Sequence, residues 1–418
     1  MSNNNKEVGF AGLGIAPSIL EILQKLKFNT PTPIQEKCIP VALDGKDLIG
    51  VAQTGTGKTL AFGVPMVQAA LRGTRGLVVL PTRELALQVN DALIKVGGPL
   101  KVQTAVLIGG DSMYRQVSAL RREPHIIIGT PGRINDHLRQ KTLSLKSMGV
   151  LVLDEADRML DMGFADQLRH IFAVLPAKRH TMLFSATMPP NIVKIAQQYM
   201  QLPLRVEVAP SGTPATRVTQ ELFFVAKEDK TRLLEKVLSE YRGSVLIFTR
   251  MKFGAKRIAA RVRALGYAAA ELHSNRTLNQ RKEALEGFRN GKYRILVATD
   301  IAARGIDVKG IELVINYDLP QSSEDYVHRI GRTGRVEATG HAISFATPNE
   351  RGNVRGIERL IRITLPQKAV GSLPPARSAP EMAREPEHHT RPSRNHHQFR
   401  GYRDREHRTT SRSGFRRK

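Results

Sequence analysis

Short apolar runs alternate with amphipathic stretches through most of the chain, and this rhythm predicts an α/β fold. Apolar runs bounded by turn signals are typical of strands that are buried on both faces. Strands that alternate with helical stretches favour parallel sheets with crossover helices. The predicted strands are 47–51, 77–80, 102–108, 125–128, 150–153 and 180–184 in the first half, and 244–248, 268–272, 294–298, 312–316 and 341–345 in the second.

Breaks in this rhythm predict the domain boundaries. The stretch Pro210–Pro214 has no apolar period and is interpreted as part of a linker. After Leu365 aliphatic residues nearly vanish while Pro, Arg, His and Ser dominate, so a disordered tail is expected. The predicted organisation is an N-terminal segment (1–36), a first α/β domain (37–209), a linker (210–217), a second α/β domain (218–365) and the tail (366–418).

Composition agrees with large buried cores. The chain has 418 residues, of which 41% are hydrophobic. A single cysteine, Cys38, excludes an intramolecular disulfide and any multi-cysteine zinc site, and we expect a buried thiol. The sequence has no apolar run of membrane-spanning length, and residues 1–10 lack the apolar core of a signal peptide. A cytoplasmic location is the resulting expectation.

The net charge of the chain indicates the class of binding partner. The formal net charge is +26, from 64 Lys and Arg residues against 38 Asp and Glu residues. Residues 366–418 contribute 13 basic and 5 acidic residues, a net charge of +8, so the folded domains also carry a basic excess. An excess of this size indicates a polyanionic partner. The tail is expected to act as a flexible tether for such a partner, although a plain solubility tail has the same composition.

A candidate phosphate-binding loop follows the first predicted strand. Residues 52–59 read Ala-Gln-Thr-Gly-Thr-Gly-Lys-Thr and precede an apolar helical stretch. Gly55 and Gly57 allow backbone N–H groups to turn towards phosphate oxygens. In such loops the lysine, here Lys58, reaches the β- and γ-phosphates, and the hydroxyl, here Thr59, binds Mg²⁺. Ala52 stands where the strict pattern has glycine.

Two carboxylates end a later strand and complement this loop. Val150–Leu153 is followed by Asp154 and Glu155. Open α/β sheets bind ligands beyond the carboxyl ends of their strands, where one carboxylate can hold Mg²⁺ and its neighbour can orient water. Alone, Asp-Glu-Ala-Asp is also compatible with a solvated acidic turn, and the upstream loop makes the catalytic interpretation stronger.

Further motifs follow one another along the chain. They are Phe28–Gln35 with the upstream Phe10, the loop 52–59, Pro81–Leu85, Gly109-Gly110, Thr130–Arg133, Asp154–Asp157, Ser185–Thr187, Leu246–Arg250, Ala298–Asp307 and Tyr326–Arg335. With these motifs in this order, the chain resembles the DEAD-box RNA helicases over roughly residues 8–365. Lys27, Leu278 and His273-Ser274-Asn275 depart from the usual family residues, and the last variant together with the basic tail resembles the bacterial RhlE-type branch.

The resemblance implies two RecA-like domains that close on ATP and Mg²⁺. It implies that Gln35 bonds the adenine edge, Phe28 stacks on the adenine ring and Asp307 bonds the ribose. The catalytic residues that it implies are Lys58, Asp154, Glu155, Arg332 and Arg335, and the metal ligands are Thr59 and Asp154. The loop residues in contact with the nucleotide are Ala52, Gln53, Thr54, Gly55, Thr56, Gly57, Lys58 and Thr59.

The resemblance further implies that RNA binds across both domains, mainly through sugar and phosphate contacts with little sequence specificity. It assigns coupling between the nucleotide and RNA sites to Ser185, Thr187 and His328. Aromatic residues are only 5% of the chain, so an extended base-stacking platform is not expected. The RNA-binding residues that it implies are Thr82, Arg83, Gly110, Thr130, Gly132, Arg133, Arg250 and Thr299.

The predicted function is RNA-stimulated ATP hydrolysis coupled to local duplex unwinding or to remodelling of RNA–protein complexes. Two alternatives share the same motifs. An ATP-gated RNA clamp uses the same residues without significant unwinding, and a duplex-displacement assay separates it from a helicase. A DNA helicase shares the phosphate loop and the carboxylates, but the Gln35 motif and the Pro81–Leu85 run disfavour it.

Overall fold

Two α/β lobes carry the fold, which we describe from a computed structural model. Lobe 1 contains the described residues between 9 and 208, and lobe 2 contains those between 218 and 375. The predicted linker, Thr54, Asp307, Arg335 and the tail from residue 376 lie outside the described residues. The described residues are 9–53, 55–208, 218–303, 308, 310–334 and 339–375.

Lobe 1 is built on a parallel sheet. Among the described residues its seven strands run in the order β3-β4-β2-β5-β6-β1-β7, and every paired strand is parallel to its neighbours. The carboxyl ends of all these strands therefore meet at one edge. The strands are β1 (Leu48–Val51), β2 (Arg75–Val79), β3 (Thr104–Leu107), β4 (Ile126–Gly129), β5 (Met148–Leu153), β6 (His180–Ser185) and β7 (Leu204–Glu207).

Helices cover both faces of this sheet, and local sequence signals place their starts. Proline stands at the beginning of α1, α2, α6 and α9, where its missing N–H costs nothing. Short 3₁₀ turns occupy Phe10–Leu13 and Gly98–Leu100. The helices are α1 (Pro17–Lys25), α2 (Pro33–Leu43), α3 (Lys58–Leu71), α4 (Arg83–Gly97), α5 (Met113–Leu120), α6 (Pro131–Arg139), α7 (Ala156–Asp161), α8 (Ala165–Val174) and α9 (Pro190–Tyr199).

Lobe 2 repeats the architecture with a parallel sheet in the order β10-β11-β9-β12-β13-β8. A 3₁₀ turn at Pro348–Glu350 precedes its last helix. Its strands are β8 (Val218–Phe224), β9 (Val245–Thr249), β10 (Ala269–Leu272), β11 (Ile295–Thr299), β12 (Leu313–Asn316) and β13 (Gly340–Ala346). Its helices are α10 (Lys230–Glu240), α11 (Lys252–Ala264), α12 (Leu278–Arg289), α13 (Asp300–Ala303), α14 (Ser323–Ile330) and α15 (Arg351–Ile361).

The apolar strand runs exist because both sheet faces are buried. In β5, Val150 and Val152 belong to one core cluster, whereas Leu151 and Leu153 belong to the cluster on the opposite face. Strands buried on both faces have no polar alternation, because each face must exclude water. All eleven strands that the apolar runs predicted are present, with ends shifted by a few residues.

Residues 9–36 of the N-terminal segment are part of lobe 1. Phe10, Ile19 and Ile34 are buried in the same core cluster as the helices that cover the sheet. Cys38 is fully buried, as predicted, and burial raises the pKa of its thiol to about 12. In the described part of the chain no helix has both the length and the apolar character needed to cross a bilayer.

Two strands were not predicted, and both lie at sheet edges. Strand β7 (Leu204–Glu207) is mostly exposed, so it has no buried apolar run. Strand β8 follows the linker directly and mixes polar and apolar residues. One-sided or solvent-facing edge strands lack the continuous apolar signal of central strands.

Lobe 2 includes the ten residues that follow the predicted boundary at Leu365. Leu222 of β8 donates its N–H to the carbonyl of Pro366 and accepts from the N–H of Lys368, both at 2.9 Å. Val370 and Leu373 pack against the core below α10. Residues 366–375 are therefore bound to lobe 2, because backbone pairing and two apolar anchors compensate for their polar composition.

This segment generates a stability prediction. A chain that ends at Leu365 should melt several degrees lower than one that ends at Pro375, because it loses two backbone hydrogen bonds and two apolar contacts worth roughly 1–3 kcal/mol together. Thermal unfolding followed by circular dichroism measures the difference. The chain ending at Pro375 is the control, and equal melting temperatures for the two would contradict the assignment.

Candidate functional site

The predicted phosphate loop connects β1 to α3 and has the required backbone geometry. Gly55 and Gly57 have φ angles of 90° and 95°, in the left-handed region that favours glycine. A Cβ at Gly57 would collide with the side chain of Gln35. Lys58 is the first residue of α3, is buried, and donates from Nζ to the carbonyl of Ala52 at 2.9 Å. The lysine thus spans the mouth of the loop.

Gln35 ties the segment before α2 to this loop. Its Nε2 donates to the carbonyl of Gly57 at 3.0 Å, and its Oε1 accepts from the backbone N–H of Thr32 at 2.9 Å. The second contact belongs to a capping box that begins α2. Phe28, the predicted adenine-stacking residue, keeps an exposed ring a few residues upstream.

The two carboxylates Asp154 and Glu155 are buried where β5 ends. Burial raises the pKa of Asp154 to about 6, although nearby Lys58 opposes this shift. Glu155 adopts the left-handed conformation, with φ 53°. Its Oε2 lies 3.3 Å from Nη1 of Arg158, but within the described residues neither carboxylate oxygen has a hydrogen-bond partner. Such a group can accept hydrogen bonds from a ligand or a water molecule.

Asp157 joins the end of β5 to the end of β6. One of its carboxylate oxygens, Oδ2, accepts from the backbone N–H of Ala186 at 3.1 Å, and from the N–H and Oγ1 of Thr187 at 2.9 and 2.8 Å. The backbone N–H of Asp157 donates to Oγ of Ser185 at 3.3 Å. Two of the three residues predicted to couple the sites, Ser185 and Thr187, are therefore fixed to the carboxylate turn by Asp157.

Lobe 2 contributes a second polar cluster where β11 and β12 end. Arg329 forms a two-point ion pair with Asp300, with N–O distances of 2.5 and 2.7 Å, and its Nη1 donates to Asn316 and to the carbonyl of Asp318. Arg332 is buried at the end of this cluster, and its Nε donates to the carbonyl of His328 at 3.2 Å.

The two clusters meet between the lobes. Arg158 of lobe 1 lines a small cavity together with His328 and Arg332 of lobe 2. A larger cavity of about 760 Å³ is also shared. Its lining includes Gln53 and Thr187 from lobe 1 and Arg250, Thr299, Asp300 and His328 from lobe 2. Neither lobe alone forms this space.

The predicted RNA residues of lobe 1 lie at the carboxyl ends of β2, β3 and β4. Thr82 caps α4, and the guanidinium of Arg83 lies over Gly109 and Gly110 so closely that a Cβ at Gly110 has no room. Burial and the nearby Arg281 lower the pKa of Arg83. Thr130, Gly132 and Arg133 stand at the start of α6, and nothing lies within 4 Å of a Cβ built on Gly132.

Arg250 of lobe 2 is held by an acidic network. Its Nη2 donates to Oε1 of Glu350 at 3.1 Å and to the carbonyl of Leu319 at 3.3 Å, while its backbone N–H donates to Asp318 at 3.1 Å. The buried Lys230 lies 3.6 Å from Asp318 and 3.8 Å from Glu350. Thr299, the other predicted RNA residue of lobe 2, ends β11 and is buried.

Comparison with known proteins identifies the family of this chain. Residues 32–195 match the DEAD/DEAH box helicase family, and residues 229–337 match the helicase conserved C-terminal domain. The DEAD-box ATP-dependent RNA helicase CshA of Geobacillus kaustophilus is 43% identical over 84% of this chain and 76% of its own. The chain belongs to the DEAD-box helicase family.

Other relatives and solved structures of this family agree. The ATP-dependent rRNA helicase RRP3 of Meyerozyma guilliermondii is 42% identical over 86% of this chain and 76% of its own. S. cerevisiae Dbp5 bound to RNA and ADP BeF3 superposes with a TM-score of 0.79 at 29% identity, covering 87% of this chain and 96% of Dbp5. Mss116p bound to ssRNA and AMP-PNP superposes with a TM-score of 0.80 at 27% identity, covering 88% of this chain and 80% of the Mss116p chain.

Several DEAD-box site contacts escaped sequence reasoning. Asp157 was inside a predicted motif, but its bonds to Thr187 depend on β5 and β6 lying side by side. Glu350 lies beyond the matched residues 229–337 and carries no motif of its own. Arg281 of α12 donates to Glu84 of α4 at 2.7 Å across the lobes, and both are buried. No local pattern relates residues that lie so far apart in the chain.

The raised pKa of Asp154 generates a stability prediction for the protein without nucleotide. A pKa raised from 3.8 to about 6 means that the folded state binds the proton more tightly, so stability decreases as the pH rises through this window. Asp154→Asn should therefore be more stable than the wild type at pH 7, by roughly 2–3 kcal/mol, and equally stable below pH 4. Urea unfolding at both pH values measures this difference.

The exposed Asp166 of α8 offers a matched control, because Asp166→Asn also removes one carboxylate and should leave stability unchanged at both pH values. If Asp154→Asn were the less stable protein at pH 7, the carboxylate would be stabilising and the interpretation of its burial would be wrong.

Proposed function

We propose that this protein closes lobes 1 and 2 on ATP and a single RNA strand, and couples ATP hydrolysis to local duplex unwinding or RNA–protein remodelling. The activity class is that of its family relatives, ATP-dependent RNA helicase. The observation that carries the closure mechanism is the shared lining of the 760 Å³ cavity, because residues of both lobes are needed to form it.

The phosphate loop and the N-terminal segment would bind the nucleotide. Lys58 would exchange the carbonyl of Ala52 for the β- and γ-phosphates, a move that needs only side-chain rotation. Gln35 keeps a second amide hydrogen and a second lone pair for the adenine edge, next to the exposed ring of Phe28. Gln53 to Thr56 and Gly57 would cradle the phosphates, and Asp307 would bond the ribose.

The donor set near the loop fits Mg²⁺. Thr59 follows Lys58 in the first turn of α3, and Asp154 is a buried carboxylate whose pKa is raised by burial. Mg²⁺ favours hard oxygen ligands and usually takes only one or two from the protein. When bound, the ion would neutralise charge on the phosphates. Thr59 and Asp154 are the residues that would hold it.

Glu155 would accept a hydrogen bond from the attacking water, since both of its buried oxygens lack hydrogen-bond partners in the described part of the chain. Arg332, with Arg335 beyond the described residues, would stabilise the charge that develops on the γ-phosphate. The small cavity that Arg158 shares with Arg332 supports this role, because it brings the Glu155 helix next to the lobe 2 arginine.

RNA would bind along the carboxyl edges of both sheets. Hydroxyls, glycine N–H groups and arginines at these strand ends suit phosphate and sugar contacts. Ser185, Thr187 and His328 would couple this surface to the nucleotide, supported by the Asp157 bonds and by the cavity that Thr187 and His328 share. A cytoplasmic location is part of the proposal. The RNA contacts are Thr82, Arg83, Gly110, Thr130, Gly132, Arg133, Arg250 and Thr299.

The proposal predicts that ATP hydrolysis depends on RNA. RNA bound to both lobes favours the closed arrangement, and linkage makes RNA and ATP binding mutually supportive. Single-stranded RNA should raise steady-state ATP turnover at least tenfold, whereas single-stranded DNA of the same sequence should have little effect. Equal rates with and without RNA would contradict the proposal, and turnover without strand displacement in a duplex assay would favour a clamp.

Substitutions at the carboxylate turn should separate binding from hydrolysis. Glu155→Gln should retain ATP binding, reduce kcat by about 100-fold or more, and prolong the residence of the protein on RNA. Lys58→Ala is the control, because it should weaken nucleotide binding itself and shorten that residence. Stopped-flow dissociation of labelled RNA measures both. A Glu155→Gln protein with wild-type kcat would show that another group orients the water.

A further inference from the structure

Two large apolar side chains are exposed where α11 begins. Met251, directly after Arg250, is 63% exposed, and Phe253, two residues further on, is 65% exposed. Nζ of Lys252 lies 5.3 Å from the centroid of the Phe253 ring. A single exposed aliphatic residue is ordinary, but an exposed aromatic ring beside a cation has the chemistry of a ligand contact.

The surroundings of this ring favour a polyanion. Residues 249–257 contain four lysines and arginines and no acidic residue, although Asp318 and Glu350 contact Arg250. The N-terminal end of a 13-residue helix adds partial positive charge at the same place. Cations mixed with an exposed aromatic ring are characteristic of surfaces that bind single-stranded nucleic acids, where phosphates meet the charges and bases stack on the ring. An acidic peptide would use the charges but leave the ring without a partner.

The backbone that presents the ring is held firmly. Thr249 donates from Oγ1 to the carbonyl of Met251 at 3.2 Å, and the same carbonyl accepts the N–H of Ala255 at 3.0 Å. One residue earlier, Arg250 is fixed by Asp318 and Glu350. A rigid base reduces the conformational entropy that ligand binding would otherwise cost.

We propose that Phe253 is a nucleobase-stacking contact of lobe 2, with Met251 beside it, for the RNA strand whose phosphate binds at Arg250. This inference rests on the proposed RNA function and adds a base contact to a surface otherwise suited to sugar and phosphate. Every base has a stacking face, so the contact tolerates any sequence, and purines bind more tightly than pyrimidines because they stack more strongly.

The test compares RNA with and without bases. Fluorescence anisotropy measures the affinity of the protein for two RNAs in the presence of AMP-PNP. One is an adenosine ten-mer and the other is a ten-mer of abasic ribose phosphates. Phe253→Ala should weaken the adenosine RNA by about five- to tenfold or more and leave the abasic RNA unchanged. Phe253→Trp should keep the wild-type affinity for the adenosine RNA, whereas Phe253→Leu should bind it as weakly as Phe253→Ala does. Leu202→Ala, at a residue 96% exposed in lobe 1, is the matched control and should change neither affinity.

Equal loss of affinity for both RNAs in Phe253→Ala would overturn the proposal, because the ring would then act through the backbone or the fold. Unchanged affinity for both would also overturn it and would leave the exposed ring to a protein partner. Failure of the wild type to bind the adenosine RNA at all would instead refute the proposed function.

Discussion

Burial of ionised side chains at the carboxyl edges of two parallel sheets is the constraint on which the rest of the structure depends. Asp154, Glu155 and Asp157 are all withdrawn from water in lobe 1, and Arg329 and Arg332 are withdrawn in lobe 2. Charges taken out of water cost several kcal/mol each unless they are paired. Both edges are therefore crowded with compensating contacts. Arg158, whose Nη1 and Nη2 have no hydrogen-bond partner among the described residues, lines the small cavity between the lobes.

The contacts inside each edge turn separate loops into one unit. Asp157 holds the loop after β6 to the turn after β5, so a shift of the carboxylate turn moves Thr187 with it. In lobe 2, Glu350 and Asp318 fix Arg250 at the end of β9. Each lobe thus presents a rigid polar edge. Coupling between a nucleotide site and an RNA site would then depend on motion of one edge relative to the other. Rearrangement within an edge would contribute less.

Local sequence signals were sufficient for the architecture and for the glycine turn between β1 and α3. Strands buried on both faces leave uninterrupted apolar runs, and glycines with positive φ at 55 and 57 leave a recognisable spacing. Edge strands β7 and β8 left no such run. The packing of residues 366–375 on lobe 2 was missed because the polar composition of the whole tail outweighs its two apolar anchors, Val370 and Leu373. Long-range pairs such as Glu84 with Arg281 depend on the arrangement of the lobes, which no local pattern encodes.

Leu278 gives the contact between the lobes an apolar component. Leu278 is the first residue of α12, in the same helix as Arg281. Its side chain packs against the core cluster of lobe 1 that contains Leu85 and Ala86. Burial of apolar surface is driven by water near room temperature and weakens on cooling. The apolar contact that Leu278 makes between the lobes consequently forms with a negative heat-capacity change and weakens in the cold, where RNA duplexes are most stable.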